Sequence, residues 1–313
     1  MPSTPVHPLL ATLGLQSKKE VDLSVQYQQI IYSVNDPIAT IRLNRPAQLN
    51  AWTERMGSEV KHALASAEAD PRVVVIVVTG EGRGFCAGAD LQGLQSLSRG
   101  EGAEEESLED LAAEPGDPEM GDSFREGFAY WMSVRKPIIA AINGPCAGMA
   151  VPISLFCDLR FASERAVITT AFSKRGLIAE WGVSWMLGRL VGPAHAMDLI
   201  LSGRRVDAHE AERMGLVNRV LPHDELIPSV TDYARRMAAE CSPTSMAIMK
   251  QQLYQDQMAP LGEANQKSFR LMTESFGRRD FREGVDAFLE KRPPRFDRIG
   301  SASGWPVDRE SGD

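Results

Sequence analysis

The chain has 313 residues, 43% hydrophobic and 24% charged, with a formal net charge of −8, which is enough for a sizeable core in one or two domains of ordinary soluble composition. No apolar run reaches the ~20 residues of a membrane helix. Neither a secretory leader nor an Arg-rich transit segment is legible at the N-terminus, so the expectation is a cytoplasmic protein with no membrane partner. Ten acids and no Lys or Arg fall within residues 100–122; the rest of the chain is close to neutral, which argues against nucleic acid as a partner.

Residues 1–24 lack periodicity and read as a loose arm. Residues 25–34 and 37–43 read as two strands joined at Asn35-Asp36-Pro37. Residues 52–70 are helical by period, with Met56, Val60, Leu64 and Ala67 on one face. The β-branched run 73–80 suits a strand covered on both faces. Residues 92–122 read as an acidic, mobile insertion, either a solvated loop or a lid. A helix is expected over 123–134 and a strand from Pro137.

The apolar run 137–142 ends at Asn143-Gly144-Pro145, a turn signal, and the small residues Ala147-Gly148-Met149-Ala150 follow. Glycine lets a backbone approach a ligand closely, and N–H groups at a helix start can hold an oxyanion. An amphipathic helix is expected to open near Glu180, a carboxylate beside Trp181 and Trp185 that can serve as a base. A helix over 194–202, a helix over 208–214 and a short strand over 216–220 come next. The period is helical from Glu225 to about 291, and 293–313 reads as a disordered tail. The pattern implies α/β with a mostly parallel sheet over 25–220 and a helical subdomain over 221–292.

The cysteines Cys86, Cys146, Cys157 and Cys241 are scattered without a CxxC pair and read as free thiols in a reducing compartment. His62, His195, His209 and His223 have no second ligand at metal spacing, so no metal is expected.

Three stretches together resemble the crotonase superfamily, the enoyl-CoA hydratase/isomerase group. They are Ile41-Arg42-Leu43-Asn44-Arg45-Pro46 through Leu49-Asn50-Ala51, then Gly84-Phe85-Cys86-Ala87-Gly88-Ala89-Asp90-Leu91, then Ile142-Asn143-Gly144 through Cys157-Asp158-Leu159-Arg160-Phe161-Ala162 to Leu190-Val191-Gly192. Leu201-Ser202-Gly203, Gly215-Leu216-Val217 and Phe288-Leu289-Glu290-Lys291-Arg292 also fit. The resemblance covers about residues 25–292 and implies a crotonase-like spiral of β-β-α turns with a helical C-terminal trimerisation subdomain. The implied assembly is a homotrimer or a dimer of trimers. The implied substrate is an acyl-CoA thioester, coenzyme A being part of the substrate and no further cofactor being called for.

By residue match, the resemblance makes the N–H groups of Ala89 and Met149 the pair that holds the thioester oxygen. It assigns Ala47, Leu49, Ala87, Gly88, Asp90, Leu91, Gly148, Phe172, Trp181 and Lys291 to substrate binding. Two fixed amides suit this chemistry because an enolate develops its charge on that oxygen.

Resembling hydratases carry two glutamates that activate water; counted from Cys157-Asp158, those places hold Pro152 and Phe172. Glu180 lies where isomerases of the same superfamily carry their catalytic carboxylate. Trp181, Trp185, Ile178 and Val183 are expected to desolvate it, which suits a general base. The leading expectation is therefore double-bond isomerisation. The alternatives are hydration by Glu180 with another acid such as Glu126, or a crotonase-fold binding or scaffold protein without turnover.

Overall fold

The computed structural model describes residues 25–99 and 107–299. The arm 1–24, residues 100–106 of the acidic stretch and the tail 300–313 lie outside the described residues.

Strands β1 (Ile30–Asn35) and β2 (Ile38–Leu43) form an antiparallel hairpin. The Thr53 hydroxyl accepts from the Met56 amide at 3.1 Å and so caps helix α1 (Glu54–Ala69), whose Met56, Val60, Leu64 and Ala67 are buried as their spacing predicts. Strands β3 (Val75–Gly80), β4 (Ile138–Ile142), β6 (Leu159–Ser163) and β9 (Arg219–Leu221) extend the sheet in parallel, in the order β1-β2-β3-β4-β6-β9.

The sheet is covered on both faces. Ile76, Val78, Ile138 and Ile142 share a core with α1, whereas Val75, Val77, Ile139 and Phe161 share one with Leu226, Val230 and Ala234 of helix α7 (Leu226–Glu240). Successive strand residues thus feed opposite layers, which is why 73–78 is apolar throughout.

A second sheet, β5 (Cys146–Ala147), β7 (Val167–Thr169) and β8 (Val206–Asp207), flanks the short helix α4 (Ala150–Phe156). Helices α8 (Pro243–Asp256), α9 (Leu261–Phe276) and α10 (Arg279–Glu290) follow α7 as the period predicts. The remaining helices are α2 (Leu91–Ser98), α3 (Tyr130–Ser133), α5 (Val183–Ser202) and α6 (Ala208–Arg213).

Four expectations differ from the fold. The helix over 123–134 shrinks to α3, because Gly127 takes φ +55° and interrupts the helical path. The helix expected near Glu180 starts at Val183, because Trp181 and Gly182 are both left-handed (φ 55° and 75°). The second half of the acidic stretch is anchored: Leu111 and Met120 are buried, the Gly116 amide donates to Glu68, and Lys61 pairs with Glu114 at 2.7 Å. Residues 293–299, expected to be disordered, return to the first hairpin, where Arg298 pairs with Asp36 at 3.1 Å and Ile299 is buried.

Candidate active site

Two buried asparagines hold the turn after β3. Asn50 Nδ2 donates to the carbonyls of Glu81 and Gly84, and its Oδ1 accepts from the Arg45 amide. Asn143 Nδ2 donates to the carbonyls of Gly82 and Gly84, and its Oδ1 accepts from the Gly80 amide. The turn exists because these backbones almost touch: a Cβ on Gly144 would lie 2.1 Å from the Arg83 oxygen.

From this turn the chain runs into Cys86-Ala87-Gly88-Ala89, which lies alongside Cys146-Ala147-Gly148-Met149. Cys86 and Cys146 form a parallel bridge, the Ala147 amide donates to the Cys86 oxygen at 3.1 Å, and the Phe85 and Cys86 amides donate to the Pro145 oxygen. The Ala87 amide donates to Leu49, and Trp52 clasps Ala89 by donating to Gly88 at 2.7 Å and accepting from Asp90 at 2.9 Å. On the other loop the Gly148 amide donates to Thr169 at 3.0 Å.

Gly88 and Gly148 carry φ of +99° and +53°, and each sits against the other's Cα. A Cβ on Gly88 would lie 2.8 Å from the Ala147 oxygen, and one on Gly148 would lie 3.8 Å from the Gly88 Cα. The two small-residue loops, distant in sequence, therefore meet. Among the described residues the amides of Ala89 and Met149 donate to nothing. Met149 is the N-cap of α4, whose carbonyls at the other end are held by buried Arg160, which donates to Cys157 at 2.7 Å and more weakly to Ser154 and Leu155. Unused backbone donors at a helix start beside a close backbone approach suit a developing oxyanion.

The neighbours are placed as follows. Ala47 lies in a 3-10 turn over Pro46–Gln48, next to Leu49. Asp90 precedes α2 and pairs with Arg45 at 2.9 Å; Arg45 also donates to the Ala51 oxygen. Leu91 is exposed at the start of α2. Phe172 is only 3% exposed and belongs to the core, so it supports the loop before Glu180. Pro152, in the first turn of α4, is buried as well. Lys291 is the exposed, left-handed C-cap of α10, and no contact among the described residues joins it to the two loops.

Glu180 is half-buried, and among the described residues its carboxylate has neither an ion pair nor a hydrogen bond. The apolar shell expected around it is incomplete in the single chain: Ile178 is 79% exposed and Trp181 46%, whereas Val183 turns into the core and Trp185 carries the Arg189 guanidinium 3.9 Å above its ring. The left-handed pair Trp181-Gly182 is the cause, since it ends the loop before α5 begins and leaves 177–181 outside the core.

Rings from three segments join this loop to the first small-residue loop. Trp181 meets Phe128 edge-on at 5.4 Å, and Phe128 meets Trp52, the partner of Ala89, at 5.6 Å. A Cβ on Gly127 would lie 3.2 Å from the Trp181 ring, so this glycine gives the indole its place. Gly182 in turn faces the Phe156 ring at the end of α4.

Sequence reasoning gave no role to Arg45, Asn50, Trp52, Phe128 or Gly127. The first two stood inside a recognised string, but nothing local marks Trp52 and Phe128 as partners of Trp181, since their link is a contact across 53 residues or more.

Residues 33–298 match the family model described as enoyl-CoA hydratase/isomerase. The chain is 33% identical over 274 residues to a Mycobacterium tuberculosis protein described as "Probable enoyl-CoA hydratase echA8", covering 86% of this chain and 98% of that one. It is 30% identical over 262 residues to the mitochondrial enoyl-CoA hydratase of Pongo abelii, covering 84% of each. Its fold is similar to the crystal structure of an enoyl-CoA hydratase from Bacillus anthracis, with a TM-score of 0.74 at 28% identity over 86% of this chain and 99% of that one.

Proposed function

The chain belongs to the enoyl-CoA hydratase/isomerase family, has the crotonase fold and is an acyl-CoA enzyme; from that premise we propose that it shifts the double bond of an enoyl-CoA, with the Ala89 and Met149 amides holding the thioester oxygen and Glu180 moving the proton. The observation that carries this reading is the pattern of carboxylates. Pro152 and Phe172, at the two places matched to the hydratase glutamates, are buried and have no group that accepts a proton, whereas Glu180 has a carboxylate free of any partner among the described residues.

One carboxylate suffices for this reaction. The Glu180 carboxylate takes a proton from C2 of a 3-enoyl thioester. The electron pair spreads through the dienolate to the oxygen between the two amides. The neutral carboxyl then returns the proton to C4, and the double bond ends between C2 and C3. Each amide donor is worth about 3–4 kcal/mol of barrier in comparable oxyanion sites.

Hydration remains the second reading, favoured by the placement of Glu126. It is exposed in the turn before Gly127, which touches the indole next to Glu180. A second acid in the turn that meets this indole is what the activation of a water would call for. A panel of 2-enoyl, 3-enoyl and dienoyl thioesters, scored by mass and by absorbance of the conjugated thioester, separates the two: a mass gain of one water from a 2-enoyl substrate overturns isomerisation. Glu180→Ala is expected to keep acyl-CoA binding and lose turnover; full activity in that variant removes Glu180 from either mechanism.

The proposed assembly is a homotrimer or a dimer of trimers. Leu261, Phe269 and Phe276 of α9 and Phe288 and Leu289 of α10 are exposed, an apolar surface that a second copy would cover. Lys291, at the end of the same helix, is proposed to reach coenzyme A across that boundary. Among the described residues no helix is long and apolar enough to cross a membrane, and the proposed location is the cytoplasm.

A further inference from the structure

The geometry points to Trp181 as the residue that selects the acyl group, favouring thioesters whose apolar chain extends well beyond four carbons; this rests on the reading of Glu180 and the two amides as the reacting site.

The indole occupies an unusual place. A bulky residue with φ of 55° is strained, and such strain persists only where the surroundings enforce it. Here they do: Phe128 packs against one edge at 5.4 Å, and Gly127 leaves room for the ring at a distance its own Cβ would contest. Yet 46% of Trp181 stays exposed, and Leu177 and Ile178 of the same loop are exposed beside it in sequence. Apolar area held in a fixed position and left open next to a half-buried carboxylate is the signature of a surface that a ligand completes.

The other end of the ring series fixes which ligand. Trp52 and Phe128 are buried, with exposures of 7% and 8%, so they cannot offer their faces to a chain. They set the spacing between Ala89 and Trp181 and leave the indole as the open apolar face of this ring series. An acyl group held by its oxygen at Ala89 and by its reacting carbons at Glu180 runs on to this face. A four-carbon acyl group ends at the reacting carbons; a longer chain covers the indole and Ile178 and removes water from Glu180 at the same time. The chain thus supplies the desolvation that the free protein lacks.

The test reads binding and turnover separately. Affinities of saturated butanoyl-, hexanoyl- and octanoyl-CoA are measured by calorimetry for the Glu180→Gln protein and for Glu180→Gln combined with Trp181→Ala. Burial of each added methylene is expected to tighten binding about fourfold in the first protein, and Trp181→Ala is expected to cut the octanoyl-to-butanoyl ratio about tenfold or more. Gly127→Ala, which crowds the ring without removing it, is expected to lower the same ratio by a smaller factor. Thermal melts and sedimentation accompany each variant. An unchanged ratio in both variants overturns the proposal. So does loss of the oligomer in Trp181→Ala with the ratio intact, which makes the indole a subunit contact. Because saturated thioesters do not turn over, an error in the role of Glu180 would appear only in the kinetics and not in these ratios.

Discussion

The twin small-residue loops and the Glu180 loop are held in opposite ways. Cys86-Ala87-Gly88-Ala89 and Cys146-Ala147-Gly148-Met149 are stitched to each other, to Leu49, to Trp52 and to Thr169 by backbone hydrogen bonds of 2.7–3.1 Å. Residues 177–181 have mostly exposed side chains, and their position depends on one turn of 3-10 helix, two left-handed residues and an edge-on ring contact. The contrast suits the work proposed for each. Amides proposed to stabilise charge are most effective when they need not reorganise, and their two loops are tied down by backbone bonds to Trp52 and Thr169. A carboxylate proposed to move a proton between two carbons needs reach, and on that reading its apolar surroundings can arrive with the substrate.

The largest effect should come from the loosely held side. Glu180→Gln is expected to lower kcat by about 10²–10⁴-fold, the usual worth of a positioned proton-transfer group, while the affinity for saturated acyl-CoA changes little. A loss of affinity comparable to the loss of kcat would mean that the loop serves binding and would break the comparison.

The rigid side is probed by Gly88→Ala. A methyl group there meets the Ala147 oxygen at 2.8 Å on a backbone with φ of +99°, so the loops must part. The expected loss in kcat is about 10²–10³-fold, like the loss of an oxyanion donor, with a lowered melting temperature. Unchanged kinetics would show that the convergence of the loops is only packing.

A smaller effect is expected from Arg45→Ala. It removes the mostly buried pair with Asp90 and the bond to the Ala51 oxygen, a cost of about 1–3 kcal/mol readable in the denaturant midpoint. Turnover per folded molecule should fall only a few-fold, because the clasp between Trp52 and Gly88 remains.

The smallest effect is confined to alkaline solution. Burial pushes the Cys86 thiol from 9.0 up to about 12 and raises Cys146 and Cys157 further. The folded protein therefore keeps protons that the unfolded chain has released above pH 9, and stability present below that pH is lost as it rises. Buried Lys136, lowered from 10.5 to about 8, acts in the opposite sense between those values, but it is one group against the three thiols, with Cys241, Tyr27, Tyr32, Tyr130 and Tyr254 also raised by burial and acting in the thiols' sense. Stability is expected to fall from pH 9 to 10.5 in the parent protein and to fall less in a Cys86→Ala, Cys146→Ala double variant. Parallel slopes would show that the thiols are accessible and that the loops are less tightly packed than their bonds imply.

Much of the fold is legible in the residues. The run 73–80 announces a strand covered on both sides because both sets of alternate residues from 73 to 78 are apolar, and Val75 and Ile76 do enter different cores. The face Met56, Val60, Leu64 and Ala67 announces α1. Where a glycine or a bulky residue takes a positive φ, the period misleads: 123–134 loses most of its helix at Gly127, and the helix near Glu180 starts three residues late at Trp181-Gly182. The acidic stretch misled by its charge, since Leu111, Asp117 and Met120 are buried and anchor its second half while Glu109, Asp110, Glu114, Glu119 and Asp122 stay at the surface.

The site divides along the same line. The order of elements, the two Cys-Ala-Gly loops, the family they mark and the absence of carboxylates at 152 and 172 depend on residue type and local periodicity, and so are readable along the chain. That Gly88 touches Gly148, that Asn50 and Asn143 hold one turn between them, and that Trp52, Phe128 and Trp181 form a series of ring contacts ending beside Glu180 is visible only once the chain is folded. Those contacts join residues far apart in the chain and are made by packing, which no local pattern encodes.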